Sequence, residues 1–323
     1  MLTRRALLQS TLLSCASLAG IAACQSAASF RLGVHPWIGY ESFYLAEELG
    51  KLPSQVKLVH YSNNTEKLQP MLTGQLDAGA FTLDEVLQLQ SQGIDLTLVA
   101  LLNISSGADV VLVKPNTKPP FIHAEQRIAY EANQVGQLML DLLLNHVGLK
   151  RDQVRLYPIP VGESQIEAWQ QGKVDVVITF EPTASKLKRL GAQIAYTSRD
   201  FPQRIFDVLA VRTDRLSQHH ETIKNLVKQH FIMLQRLQDQ PDDSLYRIAS
   251  RQKISYEEAK LALHGVILPS LNRNHQLLGD KQGAFQQSIA HVFDLLNQHQ
   301  HNALPENLRR LDYTTAYLPS LTL

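Results

Sequence analysis

Short apolar segments alternate with amphipathic ones along much of the chain, and this alternation limits the folds that the chain can adopt. FRLGVHPW, from Phe30, predicts a strand, and ESFYLAEELG predicts a helix that ends at Gly50. VKLVHY predicts the next strand and TEKLQPMLTGQL a helix that Pro70 kinks. DAGAF, TLDEVLQLQSQG and DLTLVALL then predict a strand, a helix and a strand. This order favours a mostly parallel sheet with helices on both faces.

The alternation begins again at QRIAYE and continues to QIAYTS, which predicts a second sheet. Helical periodicity then dominates residues 217–238, 255–264 and 282–299. A chain of 323 residues exceeds the usual size of one domain, which agrees with two lobes.

Two similar segments flank the second series, ADVVLVKP at 108–115 and FDVLAVRT at 206–213. We interpret them as two strands that cross side by side between the lobes, a hinge on which lobes can close. The predicted fold is α/β: two doubly wound lobes joined by a two-strand hinge, with a ligand cleft between them and a helical C-terminal extension. The predicted bounds are 30–114 plus 208–323 for lobe one and 115–207 for lobe two.

One phrase occurs in both lobes. GQLDAGAFTLDE begins at Gly74 and GKVDVVITFEPT at Gly172. Each has a Gly, an Asp three residues later, a short apolar run, and then a Thr and an acidic side chain. The phrase predicts the end of a helix, a buried strand and the start of the next helix. Two copies would bring two polar tips to opposite walls of one cleft.

The N-terminus reads as a targeting segment. Arg4 and Arg5 precede an apolar stretch that is too short and too polar for a membrane span. The segment ends in Ile-Ala-Ala-Cys, which resembles a bacterial lipoprotein cleavage box, and residues 3–8 resemble a twin-arginine export signal less specifically. We predict a signal peptide at 1–23, lipidation at Cys24 and a tether at 24–29. The alternative is an ordinary secretory peptide, with Cys24 incidental.

Composition restricts the function classes. Hydrophobic residues make up 44% of the chain, enough for sizeable cores, and the formal net charge is +1. This balance gives no electrostatic basis for binding nucleic acid. Only Cys15 and Cys24 are present, and cleavage before Cys24 would remove Cys15. The exported chain would then contain no intrachain disulfide.

The order of several segments resembles type II periplasmic solute-binding proteins. HPWIGYESFYLAEELG resembles their opening, and GQLDAGAFTLDEVL, SSGADVVLVKP, VDVVITFEPTASKL and FDVLAVR match later elements. The nearer subgroup handles nitrate, sulfonates, taurine and thiamine pyrimidine precursors. The resemblance implies a periplasmic or extracytoplasmic monomer that delivers a small molecule to the permease and ATPase of an ABC importer. Some relatives instead present their ligand to a membrane sensor, and a few are enzymes.

Candidate ligand residues lie at strand–helix junctions, where doubly wound sheets bind ligands. In lobe one they include Trp37 and Tyr40, whose rings can stack on a planar or cationic ligand, and Glu41. The alternative is that Trp37 plugs the lobe and Tyr40 caps a helix. Thr82 and Glu85 are spaced for a capping box, which leaves Asp84 as the candidate from the repeated phrase.

The remaining candidates lie near the crossing and in lobe two. Ser105 and Ser106 beside Gly107 allow close approach to a ligand, although they also fit a plain turn. The lobe-two candidates are Glu131, Asn133, Glu163, Phe180 and Glu181. Glu181 alternatively caps a helix that Pro182 opens.

The charged candidates share one sign. Glu41, Asp84, Glu131, Glu163 and Glu181 are all acidic, and no Arg or Lys falls on these turns. An anion site would require arginines or free helix N-termini without nearby carboxylates. We therefore predict a cationic or N–H-rich ligand, such as an amine or an aminopyrimidine-like ring, and disfavour nitrate and simple sulfonates.

Three alternatives to delivery to an importer follow from the sequence: presentation of a ligand to a sensor, catalysis and metal binding. A lipoprotein that presents ligand to a membrane sensor would use the same closed lobes. An enzyme would require a nucleophile–base pair, and no motif shows one. The histidine groups at 219–220 and 299–301 lack the partners of a metal site and are predicted to be solvated. No cofactor is expected, and contact with a membrane is predicted through the lipid alone.

Overall fold

The computed structural model describes residues 29–132, 134–202, 205–299 and 304–321. The predicted signal peptide, the lipidation site Cys24 and nearly all of the predicted tether lie outside these residues. None of the described helices is both long and apolar enough to cross a membrane.

The first sheet contains seven strands. Their order is β11-β4-β10-β3-β1-β2, and β12 also pairs with β4. Strand β10 runs antiparallel to both of its neighbours, while β2, β1 and β3 are parallel. The strands are β1 (Phe30–Val34), β2 (Val56–His60), β3 (Ala78–Thr82), β4 (Leu96–Ser105), β10 (Phe206–Arg212), β11 (Val266–Ile267) and β12 (Asp312–Tyr313). The helices between the first four strands are α1 (Glu41–Glu48), α2 (Leu68–Leu72) and α3 (Leu83–Ser91).

The second sheet contains five strands in the order β7-β6-β8-β5-β9. Strands β7, β6 and β8 are parallel, and β5 runs antiparallel to β8 and β9. The strands are β5 (Val110–Val113), β6 (Arg127–Tyr130), β7 (Arg155–Pro158), β8 (Val176–Thr179) and β9 (Gln193–Thr197). The helices of this lobe are α4 (Gln134–Val147), α5 (Glu163–Gln170) and α6 (Thr183–Arg189).

The two sheets follow the same plan, and this explains the repeated phrase. Strands β3 and β8, which carry the two copies, occupy equivalent positions in the two orders. Gly74 and Gly172 end the preceding helices with positive φ angles of 73° and 64°, a conformation that glycine adopts without a steric penalty. The phrase is therefore one structural unit used once in each lobe.

The Asp of each phrase binds an Arg at the start of its lobe's first parallel strand. Asp77 accepts hydrogen bonds from the backbone N–H and the Nε of Arg31, at 2.8 and 2.9 Å. Asp175 accepts the same two bonds from Arg127, at 3.1 and 2.9 Å. Each carboxylate thus joins two neighbouring strands, a role that the sequence alone did not assign to it.

The chain crosses between the sheets twice, and the crossing segments lie side by side. Ser105 donates its backbone N–H to the Ile205 carbonyl at 3.0 Å, and Ser198 donates to the Asp109 carbonyl at 2.9 Å. The similar strands 110–113 and 206–212, however, belong to different sheets. The predicted lobe-one segment 30–114 therefore includes four residues of the second sheet. The error arose because β-rich patterning does not reveal which sheet a strand joins.

The C-terminal part packs on lobe one as helices α7 (His220–Asp239), α8 (Pro241–Gln252), α9 (Tyr256–Leu263), α10 (Leu271–Gly279) and α11 (Ala284–His299). One apolar cluster joins most of these helices to the first sheet, and two smaller clusters cover the faces of the second. The sequence predicted helices at 217–238, 255–264 and 282–299, close to the observed α7, α9 and α11. Helices α8 and α10 were not predicted, because their polar sequences carry few apolar residues.

Candidate functional site

Two adjoining cavities lie where the lobes meet. The interlobe cavity has a volume of about 20 Å³ and is lined from both lobes. The lobe-two cavity has a volume of about 10 Å³ and is lined mainly by α4 and β8. Asp109, Val135 and Phe180 line both cavities, so the two adjoin at these residues.

Aromatic side chains from both lobes meet at the interlobe cavity. The rings of Trp37 and Phe180 lie edge to face, with centroids 5.3 Å apart. Trp37 donates its indole N–H to Asn103 Oδ1 at 3.3 Å, which fixes the ring. Gly39 makes room for this arrangement, because a Cβ there would lie 2.0 Å from Asn103 Nδ2. The predicted aromatic residues Trp37 and Phe180 are therefore brought together across the cleft.

A buried lysine lies beside the interlobe cavity. Lys67 has no exposed side-chain surface, and its ammonium donates to His35 Nδ1 at 2.8 Å. Its Nζ also lies 3.6 Å from Glu85 Oε2. Burial, and then the Lys67 charge, lowers the pKa of His35 well below its usual value, so this imidazole is neutral. The region therefore contains one cation among its acidic residues.

Tyr40 and Asp207 also line the interlobe cavity, and the Tyr40 ring packs against His35. The Tyr40 hydroxyl donates to Asp207 Oδ1, while Asp207 Oδ2 has no hydrogen-bond partner among the described residues. Asp207 is 2% exposed, and burial raises the pKa of this carboxyl well above its usual value. A buried acceptor without a partner is costly, so this oxygen is suited to an N–H donor from a ligand.

Asp84 and Asp109 are also buried carboxyls, and each has an oxygen without a hydrogen-bond partner among the described residues. Burial, aided by repulsion from Glu85, raises the pKa of Asp84 to about 7. Burial also raises the pKa of Asp109 to about 6, although the Ser105 hydroxyl offsets part of the effect. Oδ2 of each has no hydrogen-bond partner in the part of the chain that the structure describes. Perturbed carboxyls of this kind are typical of functional sites.

Four of the predicted site residues line the two cavities. Trp37, Tyr40 and Phe180 line the interlobe cavity, and Glu131 lines the lobe-two cavity. Asp84 is buried beside Glu85 but is not among the lining residues. Asn133 lies outside the described residues.

Glu41 was predicted to face the ligand, and the structure places it elsewhere. It accepts hydrogen bonds from Arg251 and from Gln252 Nε2, the latter at 2.7 Å. Both partners belong to α8, a helix that the sequence did not predict. Glu41 therefore fastens the C-terminal helices to α1.

Glu181 and the two serines also have structural partners. Glu181 accepts bonds from the Ser185 backbone N–H at 3.0 Å and from Lys188 at 3.2 Å, so it caps its own helix. The Ser105 hydroxyl lies 2.7 Å from the Ser198 hydroxyl at the crossing. The Ser106 carbonyl accepts from Arg199 there. Glu163 is exposed at the start of α5 and lines neither cavity.

Several lining residues were not among the predicted site residues. The sequence predicts Glu85 as a capping residue, and it accepts a hydrogen bond from the Thr82 backbone N–H at 3.0 Å. Glu85 also lines the interlobe cavity. Asp207 lay in a segment interpreted as a hinge strand. The sequence feature that indicates Asp207 is an acidic residue within an apolar strand, FDVLAVR. A carboxyl buried there is costly unless a protein group or a ligand pairs with it.

Most of the ionisable residues that line the two cavities are carboxylic acids. Glu85, Asp109 and Asp207 line the interlobe cavity, and Glu131 lines the lobe-two cavity with Asp109. Among the described residues no Arg or Lys lines either cavity. The buried Lys67 contacts two lining residues, His35 and Glu85, but does not line the cavity itself. The same described part of the chain contains no cluster of three potential metal ligands.

Solved structures share this architecture. The aliphatic sulphonate binding protein SsuA of Escherichia coli has a TM-score of 0.71 and 17% identity, over 88% of this chain and 98% of that one. The ligand-binding component of an ABC-type import system from Staphylococcus aureus has a TM-score of 0.71 and 13% identity, over 90% and 97% of the two chains. The alkanesulfonate-binding protein SsuA of Xanthomonas axonopodis pv. citri has a TM-score of 0.67 and 17% identity, over 89% and 97%. All three are binding proteins or binding components.

Sequence comparison gives the family directly. No curated protein matches the chain in sequence. The model of the NMT1-like family matches residues 25–249, well over half of the chain. The two similar sheets, the cleft between them and this match lead to one conclusion: the chain has the type II periplasmic binding-protein fold and belongs to the NMT1-like family.

Proposed function

We propose that this protein is an extracytoplasmic solute-binding lipoprotein that captures a small cationic, amine or aminopyrimidine-like molecule between its lobes and delivers it to an ABC importer. The observation that carries the proposal is the set of buried carboxyls facing the interlobe cavity, with unpaired oxygens on Glu85, Asp109 and Asp207. Each of these oxygens is an acceptor that a ligand N–H would satisfy.

The aromatic pair supports the same class of ligand. Trp37 and Phe180 approach from opposite lobes, so a ligand bound beside them would contact both lobes and favour their closure. An aromatic face also attracts a cation by its quadrupole. Although two of the similar structures bind sulphonates, a sulphonate here would face carboxylates without a lining Arg or Lys.

Delivery to an importer is supported by the family and by the fold. A chain that reaches the periplasm and is acylated at Cys24 would be held beside a membrane-embedded permease. The sequence supports this through the basic, apolar and small-residue order of its first 24 residues. Lobe one would comprise the chain before the first crossing and after the second, and lobe two the chain between them.

A thermal-shift screen of the purified full chain in mild detergent tests the proposal. The panel contains alkylamines, aminopyrimidines, sulphonates and nitrate at equal concentrations. Amines or aminopyrimidines should raise the melting temperature, because a ligand that binds only the folded state stabilises it. A rise with sulphonates alone would refute the cationic ligand, and no rise with any compound would refute small-molecule binding of these classes.

A further inference from the structure

Two C-terminal helices contact both lobes. Helices α9 and α11 pack mainly on lobe one, yet each also reaches lobe two. Glu258 of α9 forms an ion pair with Arg189 at the end of α6, and Leu295 of α11 belongs to an apolar cluster of the second sheet. The lobes are therefore joined by more than the two crossing segments.

These two contacts lie on opposite faces of the second sheet. The cluster that contains Leu295 also contains Val111, whereas the cluster that contains Leu187 of α6 also contains Val110. Val110 and Val111 are successive residues of β5, and successive residues of a strand point to opposite faces. Leu295 thus reaches one face, while Arg189 belongs to the helix on the other.

The contact made by α11 is apolar and lies close to the cleft. Leu295 is 6% exposed and shares its cluster with Val135 and Met139 of α4, which also line the lobe-two cavity. Helices α3 of lobe one, α4 of lobe two and α11 are all in contact with one another. Separation of the lobes at this point would return the Leu295 side chain to water, which is unfavourable.

The contact made by α9 is an ion pair whose acid is already held in place. Glu258 Oε2 accepts hydrogen bonds from the Ser255 backbone N–H at 2.8 Å and from the Ser255 hydroxyl at 3.0 Å, which completes the capping box of α9. Its other oxygen, Oε1, accepts from Arg189. Because the capping bonds already order the Glu258 side chain, the ion pair requires little further loss of its conformational entropy.

The turn that follows α9 is fixed to the crossing segments. Arg199 donates to the carbonyls of Ser106 and His264, at 2.7 and 3.0 Å. The Gly265 carbonyl accepts from the backbone N–H groups of Ser106 and Ala108, at 2.8 and 3.0 Å. Since α9 is held at the crossing in this way, its ion pair with α6 has to break when lobe two turns away from it.

We propose that α9 and α11 form a C-terminal clamp that resists opening of the lobes. Glu258 and Leu295 are its two contacts with lobe two, one on each face of the second sheet. Because a solute between the lobes enters and leaves only while they are apart, the clamp slows both steps. The proposal concerns the motion of the lobes and goes beyond the proposed function, since it holds for any solute.

Thiol labelling of a buried cysteine measures opening without any ligand. Thr179 is 2% exposed at the end of β8, next to Phe180, whose ring contacts Trp37 of lobe one. In the full chain with its two cysteines replaced, Cys15→Ser and Cys24→Ser, the substitution Thr179→Cys provides the only thiol. When opening and closing are fast relative to labelling, the labelling rate is proportional to the open fraction.

Each contact of the clamp has a substitution that removes it. Glu258→Gln keeps a residue that can complete the capping box but removes the charge, and it should raise the labelling rate about twofold or more. Leu295→Ala should raise the rate about tenfold or more. Addition of Arg189→Gln to Glu258→Gln should cause no further rise, because the ion pair is already absent.

Two matched controls alter similar contacts within one lobe. Glu125→Gln removes an ion pair with Arg155 inside lobe two. Leu296→Ala truncates the neighbouring leucine of α11, which is 4% exposed and belongs to the cluster of lobe one. Both should keep the labelling rate of the parent chain, although Leu296→Ala should lower the melting temperature.

The melting temperature of each variant checks that it folds, and Leu295→Val replaces Leu295→Ala if that variant does not. Parent rates in both Glu258→Gln and the Leu295 variant would overturn the clamp. A rise in only one of them would overturn its two-sided form, and an equal rise in the controls would show that loss of stability alone exposes the thiol. Because no ligand is present, none of these outcomes affects the proposed function.

Discussion

Trp37 and Phe180 lie edge to face with ring centroids 5.3 Å apart, and this contact joins the two lobes at the interlobe cavity. Each residue follows the C-terminal end of a parallel strand of its own lobe, Trp37 after β1 and Phe180 after β8. Burying such rings together stabilises the closed arrangement of the lobes, and a ligand beside them would be shielded from water.

Removal of the lobe-two ring should weaken ligand binding. Phe180→Ala removes the contact with Trp37 and part of both cavity walls, so the dissociation constant should rise by about tenfold or more. Phe121→Ala is the matched control, because Phe121 packs edge to face on Tyr196 within lobe two and lines neither cavity. Titration calorimetry with the same ligand measures the dissociation constant of each variant. An equal loss in the two variants would argue against a role for the Trp37–Phe180 pair in binding.

Substitution of Gly39 should disturb the site through Trp37. The added methyl of Gly39→Ala would approach Asn103 Nδ2 to 2.0 Å and Trp37 Nε1 to 2.6 Å, so the bond between these side chains should be lost. We expect a lower melting temperature and a changed tryptophan fluorescence. Gly279→Ala is the control, because the nearest atom to its Cβ lies 4.0 Å away. Unchanged fluorescence in Gly39→Ala would show that Trp37 is held by other contacts.

The buried carboxyl of Asp84 should make the ligand-free protein less stable at higher pH. Its pKa of about 7, raised by burial and by Glu85, lies above the unfolded value of about 3.9. Between these values the folded state binds more protons than the unfolded state, so stability falls as the pH rises. Asp109 and Asp207 act in the same direction, while the nearby Lys67 ammonium favours the ionised form of Asp207.

Asp84→Asn isolates this contribution, because the amide occupies a similar volume and does not ionise. The fall in melting temperature between pH 5 and pH 8 should be smaller in the variant than in the wild type. The exposed Asp152→Asn provides the control and should leave the slope unchanged. If Asp84→Asn has the wild-type slope, the titration of Asp84 does not determine it.

Asp77 should stabilise the fold above its own low pKa. Burial by itself raises the pKa of this carboxyl, but the hydrogen bonds and charge of Arg31 outweigh that effect and lower it. The stabilisation is therefore complete above the unfolded pKa of about 3.9 and is lost as the pH falls further. Asp77→Asn should reduce the free energy of unfolding by about 1 kcal/mol at pH 7, after allowance for solvent screening of the partly exposed pair.

The equivalent substitution in lobe two is the natural comparison. Asp175 makes the same pair with Arg127, but its side chain is 30% exposed against 4% for Asp77. Asp175→Asn should therefore cost less stability than Asp77→Asn. Chemical denaturation at pH 7 measures both, and a larger loss from Asp175→Asn would contradict this ranking by burial.

Local pattern was sufficient for most of the regular elements. The alternation of apolar segments predicted strands that correspond to β1–β4 and β6–β9, because strands and helices differ in the period of their buried positions. It failed for α8 and α10, where polar residues dominate and a long-range partner holds the helix. For α10, that partner is Leu101 in β4, whose backbone N–H and carbonyl bond the side chain of Asn274.

The sequence by itself determined the two-lobed fold and the repeated unit, because these depend on periodicity along the chain. Only the tertiary structure decided which acids face the cavities. Glu41 and Glu181, both predicted to bind ligand, are occupied by Arg251 and Ser185, whereas Glu85 and Asp207 line the interlobe cavity. A carboxyl that receives hydrogen bonds from other parts of the protein has a structural role, and one that receives none can accept them from a ligand. Which donors reach it depends on distant segments of the chain, and only folding brings these segments together.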